Sequence, residues 1–366
     1  MRAVPALVLL VCLTVSACSA QQDKTDQSPL KATSTLVEVP VLVKAKGKQI
    51  VHGLAADDFV VTDNGVPQRL TLDQDADARP LALALVVQTG GAGAQHLADY
   101  GQLDSILDAL AGQVEHRVAV ISFDRSPHLL IPFGPSMTNA AWQLDNLEAG
   151  DGGAAILDGI AFAITQLQGQ PARFRRVILL MSETIDQGSA TTLDDALRLI
   201  SDTNTAMYSF GFSSTRAAVS HEASKFNGST PGPEHGCFSR QGADAEYEGH
   251  YSKQVLDCIS QLAPPLRLAT MSFLTARNAL RTKTAESIAQ LAGGEFHHFH
   301  DAKDLKDGLI ALANDVPNYY VLSFRPTAPT PGMHALHVEA KGRPELLLNA
   351  RRSYWIDDDA AAKSSH

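Results

Sequence analysis

Four continuous apolar runs constrain this chain most: residues 81–89 (LALALVVQT), 117–123 (RVAVISF), 176–181 (RVILLM) and 206–212 (AMYSFGF). A strand with one wet face alternates apolar and polar residues. A run that stays apolar belongs to a strand covered on both faces. Between the runs lie segments with helical apolar spacing, at 94–113 (Leu97, Leu103, Ile106, Leu107, Leu110), 138–148, 154–168 and 191–203. Buried strands alternating with amphipathic helices predict an α/β fold, a doubly wound and mostly parallel sheet. The pattern stops over 213–281, which carries Gly, Pro, Ser, His and the pair Pro264-Pro265. It resumes with a helix over 282–292, a strand over 295–299 and a last helix over 303–314. A domain over 80–316 with an insertion at 213–281 follows from this.

Both flanks of that domain are β-rich. Residues 36–43, 47–51, 58–62 and 66–72 suit strands, with Asp63-Asn64-Gly65 as a hairpin turn signal. Residues 318–325, 333–340 and 345–356 suit strands again, and 357–366 form a polar tail. Neither the N-terminal segment (36–75) nor the C-terminal one (317–356) has enough strands to stand alone. The two are expected to share an accessory β subdomain, as one sheet or a sandwich.

The N-terminus bears on the compartment. Residues 3–15 (AVPALVLLVCLTV) form an apolar stretch after a single Arg, short for a spanning helix and suited to a signal peptide over 1–17. Val15-Ser16-Ala17-Cys18 resembles a bacterial lipobox. The resemblance implies cleavage before Cys18, with diacylglycerol on its sulfur and fatty acyl chains such as palmitate holding the protein to a membrane. The alternative is ordinary secretory cleavage near Ala20, which removes Cys18. Residues 18–35 are polar and aperiodic and suit a flexible tether. By analogy with lipoprotein sorting, Ser19 favours the outer membrane. The expected location is the cell envelope. In an oxidising compartment Cys237 and Cys258 form an even pair, and a disulfide between them would stabilise by about 3 kcal/mol. Two free thiols are the alternative.

The whole chain has 30 Lys plus Arg against 40 Asp plus Glu and 45% hydrophobic residues. This balance excludes a mostly disordered chain and disfavours nucleic acid, whose phosphates call for clustered basic residues. Without its signal the chain has 29 bases against 40 acids, so anionic lipid repels it and the lipid is the anchor.

Several stretches resemble bacterial proteins with a von Willebrand factor A-related domain, of the type common in acidobacteria. They are the hairpin from Asp58 to Gln68, the first strand and loop from Leu81 to Gly93, Ser122-Phe123-Asp124, Gly152 to Asp158, Arg176 to Ser189, and Asn318 to Phe324. In that family a divalent cation sits at the strand ends, held by an Asp and two Ser, a Thr, and a second Asp. Hard cations need such oxygen ligands in a near-octahedral set. Here Gln88, Gly90 and Ala92 occupy the Asp-Ser-Ser slots, Ala154 the Thr slot and Glu183 the last Asp slot. The resemblance therefore implies a degenerate adhesion site, without metal or other cofactor. The rival reading rebuilds a cation site from Glu183, Asp151 and backbone oxygens.

Other candidates are weaker. Glu295, His297, His298 and His300 are the densest group of ligand types. His298 and His300 share one strand face, Glu295 and His297 the other. Zinc could use two of them, but a partly exposed strand end explains them as well. In the insertion His235, His250 and Cys237 compete with the disulfide. No G-x-S-x-G, H-E-x-x-H or P-loop pattern occurs. The expectation is a lipid-anchored, non-enzymatic interaction or adhesion-type module, contacting an envelope or extracellular protein without metal. The alternatives are a cation-dependent adhesion module and, below it, a hydrolase housed in the insertion.

Overall fold

A computed structural model describes residues 36–73, 78–212, 283–327 and 329–357. The signal segment, Cys18, the whole of the tether, Cys237, Cys258, the 213–281 insertion with His235 and His250, and nearly all of the polar tail lie outside the described residues.

The apolar runs form the middle of a six-stranded sheet. Its strands are β5 (Leu81–Gln88), β6 (His116–Phe123), β7 (Pro127–Gly134), β8 (Arg175–Glu183), β9 (Ala206–Phe212) and β10 (Phe296–His298), in the order β10-β9-β8-β5-β6-β7. All neighbours are parallel except β6 and β7. Every residue of β5 is buried, and its alternation divides it between two layers. Leu81, Leu83, Leu85 and Val87 pack with α1 (Asp104–Ala111), α2 (Met137–Asp145) and α6 (Ala302–Asp315). Ala82, Ala84 and Val86 face the layer of α3 (Ile156–Gln168), α4 (Leu193–Asp202) and α5 (Thr284–Leu291). This is the expected doubly wound α/β arrangement.

Helix starts follow local chemistry. Ser136, Thr192 and Asp301 accept backbone N–H groups of Asn139, Asp195 and Asp304 at the first turns of α2, α4 and α6. The long helix expected over 94–113 is instead two 3₁₀ turns, Gly91–Gln95 and Leu97–Tyr100, followed by α1. Gln102 between them has φ 59, which a continuing helix does not tolerate. Strand β7 has no counterpart in the sequence expectations. It is an edge strand, where Pro127 and Pro132 remove no needed ladder donor.

The two β-rich flanks interleave. One four-stranded sheet has the order β13-β1-β11-β4, with β1 (Val37–Lys44), β4 (Thr71–Asp73), β11 (Tyr320–Phe324) and β13 (Leu347–Ala350). The other is β14-β12-β2-β3, with β2 (Phe59–Asp63), β3 (Val66–Pro67), β12 (Gly332–Ala340) and β14 (Ser353–Ile356). Val39, Val41, Phe59, Val61, Phe324, Leu336 and Ile356 from both sheets share one core, so the accessory subdomain is a sandwich. The segments 66–72 and 345–356, each expected as one strand, are each split and change sheets midway. Residues 47–51 make only an isolated bridge, Lys44 to Ile50. The sandwich meets the α/β layers through Lys44 and Asp315, 2.6 Å apart, and through Trp355, whose backbone N–H donates to Ser201 Oγ at 2.7 Å.

Candidate functional site at the strand ends

The chain runs outward from β5 to β6 and β7, then returns to β8 on the other side of β5. The gap between the C-terminal ends of β5 and β8 is thus the topological switch point, where open α/β sheets place ligands. Gln88 ends β5 and Glu183 ends β8, with relative exposures of 0% and 3%.

These two side chains close on each other. Gln88 Nε2 donates to Glu183 Oε1 at 3.1 Å and to the Gly90 carbonyl at 3.0 Å. Gln88 Oε1 accepts the Glu183 N–H at 2.8 Å. Gln187 Nε2 donates to the other carboxylate oxygen at 3.2 Å. Both oxygens of Glu183 and both polar atoms of Gln88 are thereby engaged inside the protein, as buried polar groups require.

The loops above are stitched shut. Gly91 N–H donates to the Asp151 carbonyl, Gly150 N–H to the Thr89 carbonyl, and Ala154 and Gln187 exchange two backbone bonds. A Cβ on Gly90 would lie 2.3 Å from the Asp151 carbonyl oxygen and 2.5 Å from Asp124 Cβ. A Cβ on Gly93 would lie 2.4 Å from the Gln88 carbonyl oxygen. Gly90 is therefore a packing requirement: the space that a serine would need is filled by backbone. Ala92 is half-buried against the core and Ala154 fully buried. A Gly90→Ser protein is expected to lose about 1–3 kcal/mol through this overpacking and to gain no cation affinity. Urea denaturation with and without Mg²⁺ checks it, and a stable, Mg²⁺-responsive variant would contradict it.

The surrounding carboxylates each serve their own loop. Asp124 accepts the N–H groups of Ser126 and Asp151 at 3.0 Å each. Burial pushes its carboxyl up, but the backbone N–H groups of Ser126, Asp151 and Arg125 outweigh this and hold it below the ordinary range. Asp158 accepts from Ala190 and Thr191 N–H at 2.9 and 2.7 Å. Here too burial is overcome by hydrogen bonds, and the carboxyl is held low. Asp186 accepts from Leu157 N–H and Ser189 Oγ. The Asp151 side chain is exposed. Among the described residues, no three His, Cys, Asp or Glu groups are placed to hold a metal ion.

The histidine group is divided. His297 stacks on Phe210 at 5.0 Å and lies 3.3 Å from Glu295. The adjacent His297 ring, with Lys44 and the Asn349 side chain, outweighs the opposing desolvation and holds the Glu295 carboxyl below its ordinary value. His298 packs edge-on to Phe296, and His300 pairs with Asp304 on α6. Two arrangements were invisible in the sequence. One is the Gln187 bond to Glu183. The other is a buried cluster in the sandwich, Asp63–His334–Tyr354, whose members lie at opposite ends of the chain. Asp63 had a turn signal; nothing in one dimension pairs it with His334.

No protein-family model matches the chain, and no curated protein matches it. Solved structures similar to it include the conserved hypothetical protein BatB from Bacteroides thetaiotaomicron, at 11% identity and TM-score 0.37, over 64% of this chain and 98% of that one. The SpRpn10 VWA domain matches at 15% identity and TM-score 0.29, over 41% and 83%. Proximal thread matrix protein 1 from the mussel byssus, with a zinc-occupied MIDAS motif, matches at 15% identity and TM-score 0.33, over 40% and 38%.

Proposed function

We propose that this chain is a lipid-anchored cell-envelope protein whose α/β domain, of the von Willebrand factor A-related type, binds a protein partner without a divalent cation and without catalysis. The observation that carries the metal-independent part is the closed Gln88–Glu183–Gln187 network at the switch point. A hard cation would have to displace those bonds, and only one carboxylate there could neutralise it. The loops and the start of β7 instead present Arg125, His128, Asp151 and Gly152 to solvent, a mixed polar surface suited to a protein contact. Ser126 Oγ lies 3.3 Å from His128 Nε2, but that same nitrogen also faces Asp124 Oδ1 at 3.5 Å, so the carboxylate does not orient the ring from its far side as a catalytic triad requires.

The test is a crosslinking pull-down of the full chain from envelope membranes, run with EDTA and with Mg²⁺. Equal recovery of one partner in both arms is expected, together with a flat calorimetric titration with Mg²⁺ and Mn²⁺. Micromolar heat of binding, or recovery only with Mg²⁺, would promote the cation-dependent adhesion reading. The anchor has its own check. Cys18→Ser should move the protein from the membrane fraction to the soluble one, and a variant that stays on the membrane contradicts the lipid assignment.

A further inference from the structure

At the opposite end of the sheet from those loops, the sandwich and the α/β layers enclose a cavity of about 260 Å³. Its walls carry four guanidinium groups, Arg79, Arg175, Arg176 and Arg351, and one carboxylate, Glu38. In a chain with 40 acids and 30 bases this is a local reversal of charge. We infer that the cavity is a binding site for a small oxyanion-bearing molecule, a carboxylate or a phosphate ester.

Arg351 carries the argument furthest. It stands where the chain crosses from β13 to β14, and it is 3% exposed. Its Nε donates to the Ser353 carbonyl at 2.7 Å; Nη1 donates to Asn204 Oδ1 at 3.0 Å and to the Glu38 carbonyl at 3.4 Å. These partners are neutral, and no carboxylate lies within ion-pair distance of Arg351 among the described residues. Burial pushes its pKa down to about 10, so it keeps its charge at neutral pH. Glu38 and Asp202 support that charge only from beyond ion-pair distance, and an oxyanion in the cavity would give the buried cation a direct counter-ion.

Other groups fit the same ligand. Arg176 is occupied by the carbonyls of Leu167, Gln170 and Thr203 and adds charge without a carboxylate partner among the described residues. The single lining acid, Glu38, is engaged with Arg79 at 3.3 Å. The Tyr319 hydroxyl is buried without a well-formed hydrogen bond among the described residues, and it is a donor an oxyanion can use. Planar guanidinium forks suit carboxylate and phosphate geometry, and the cavity's size limits the ligand to a small molecule. Because the walls come from both bodies, the ligand would also tie the sandwich to the sheet.

The experiment titrates the full chain with inorganic phosphate and, separately, with malonate, each against sodium chloride of matched ionic strength. Unfolding midpoint and heat of binding are followed. At least one probe should raise the midpoint beyond the chloride control and bind one-to-one. A response to phosphate alone assigns a phosphate ester, to malonate alone a carboxylate, and to both the shared oxyanion chemistry. Arg79→Gln, which removes a half-buried lining cation together with its ion pairs to Glu38 and Asp73 at 3.3 and 3.6 Å, should weaken the responding probe at least tenfold with an unchanged circular dichroism spectrum. Arg351→Lys should do the same; if it fails to fold, Arg79→Gln decides. No response beyond chloride with either probe, or unchanged affinity in the folded variants, overturns the assignment.

Discussion

A chain ending at Asp315 should lose amide protection throughout residues 37–44, although every one of those residues is retained. Strand β1 lies between β13 and β11, and both follow Asp315. Removing them strips β1 of each ladder at once. β4 loses its neighbour β11, and β2 keeps only the two-residue β3. Val37, Val39, Val41 and Val43 would pass from at most 2% exposure to open solvent. At about 1.5–3 kcal/mol for each fully buried aliphatic side chain, this exceeds what an isolated two-stranded remnant can hold. The central strand β5 keeps β6 and β8 and should stay protected, which separates loss of the sandwich from general unfolding. Hydrogen exchange followed by mass spectrometry reads both regions. Unchanged protection at Val39 and Val41 would show that the N-terminal segment holds itself, and that the interleaving of the two flanks is incidental.

What the sequence makes legible depends on how a residue's surroundings are written into its neighbours. The strands β5, β6, β8 and β9 are legible because layers on both faces demand an apolar residue at every position. β7 is not, because half of an edge strand is wet and its prolines resemble a loop. The helical spacing of Leu97, Leu103 and Ile106 is real. Each of these side chains does face the core, but from successive short turns that the backbone at Gln102 interrupts. In the flanks, a two-residue period announces strands but not their partners. Nothing local says that β3 and β4, or β13 and β14, belong to different sheets.

The strand-end site divides similarly. Which side chains stand at 88, 90, 92, 154 and 183 is plain from the sequence, and so is the shortage of oxygen ligands. What occupies the space is not, because it depends on contacts between residues 95 apart, such as Gln88 with Glu183. Gly90 looks like a missing hydroxyl in one dimension. In three it is the point where two loops touch. The arginine cavity leaves no signal at all, since Arg79, Arg176 and Arg351 come from separate segments and join only when both flanks fold against the sheet.

The buried cluster of the sandwich leads to the second large effect: stability should fall as pH rises through the titration of His334. His334 is 1% exposed, and both ring nitrogens face acceptors. Nδ1 lies 2.7 Å from Asp63 Oδ1 and Nε2 lies 2.7 Å from the Thr330 carbonyl oxygen. Asn64 Nδ2 and the Tyr354 hydroxyl also approach Nδ1, at 3.3 and 3.1 Å, but the carboxylate is nearest. A neutral imidazole can donate from one nitrogen only, so the cationic form is the one that donates to both Asp63 and the Thr330 carbonyl. Tyr354 completes the set by donating its hydroxyl to Asp63 Oδ2 at 2.7 Å. Burial by itself would push the His334 pKa down. The Asp63 hydrogen bond, the Thr330 carbonyl and the Asp63 charge outweigh it, and the value stands above the ordinary 6.5. The folded state then holds a proton that the unfolded chain releases, so stability has a negative slope with pH in that window. The contribution is complete below about pH 6.5, the value for an unfolded histidine. It is lost as pH climbs through the raised folded value, by at most about 1.4 kcal/mol per pH unit for one proton. His334→Ala removes one member of a buried pair and should cost about 3–5 kcal/mol at pH 6, much of it from the uncompensated Asp63 carboxylate. Asp63→Asn combined with His334→Ala should recover part of that loss, which a simple cavity would not. Guanidinium denaturation of wild type and His334→Ala from pH 6 to pH 9 separates these cases. The wild-type curve should decline toward the mutant's as pH rises. Parallel curves across the whole range would mean that His334 is neutral in the fold and that the cluster is held by packing rather than charge.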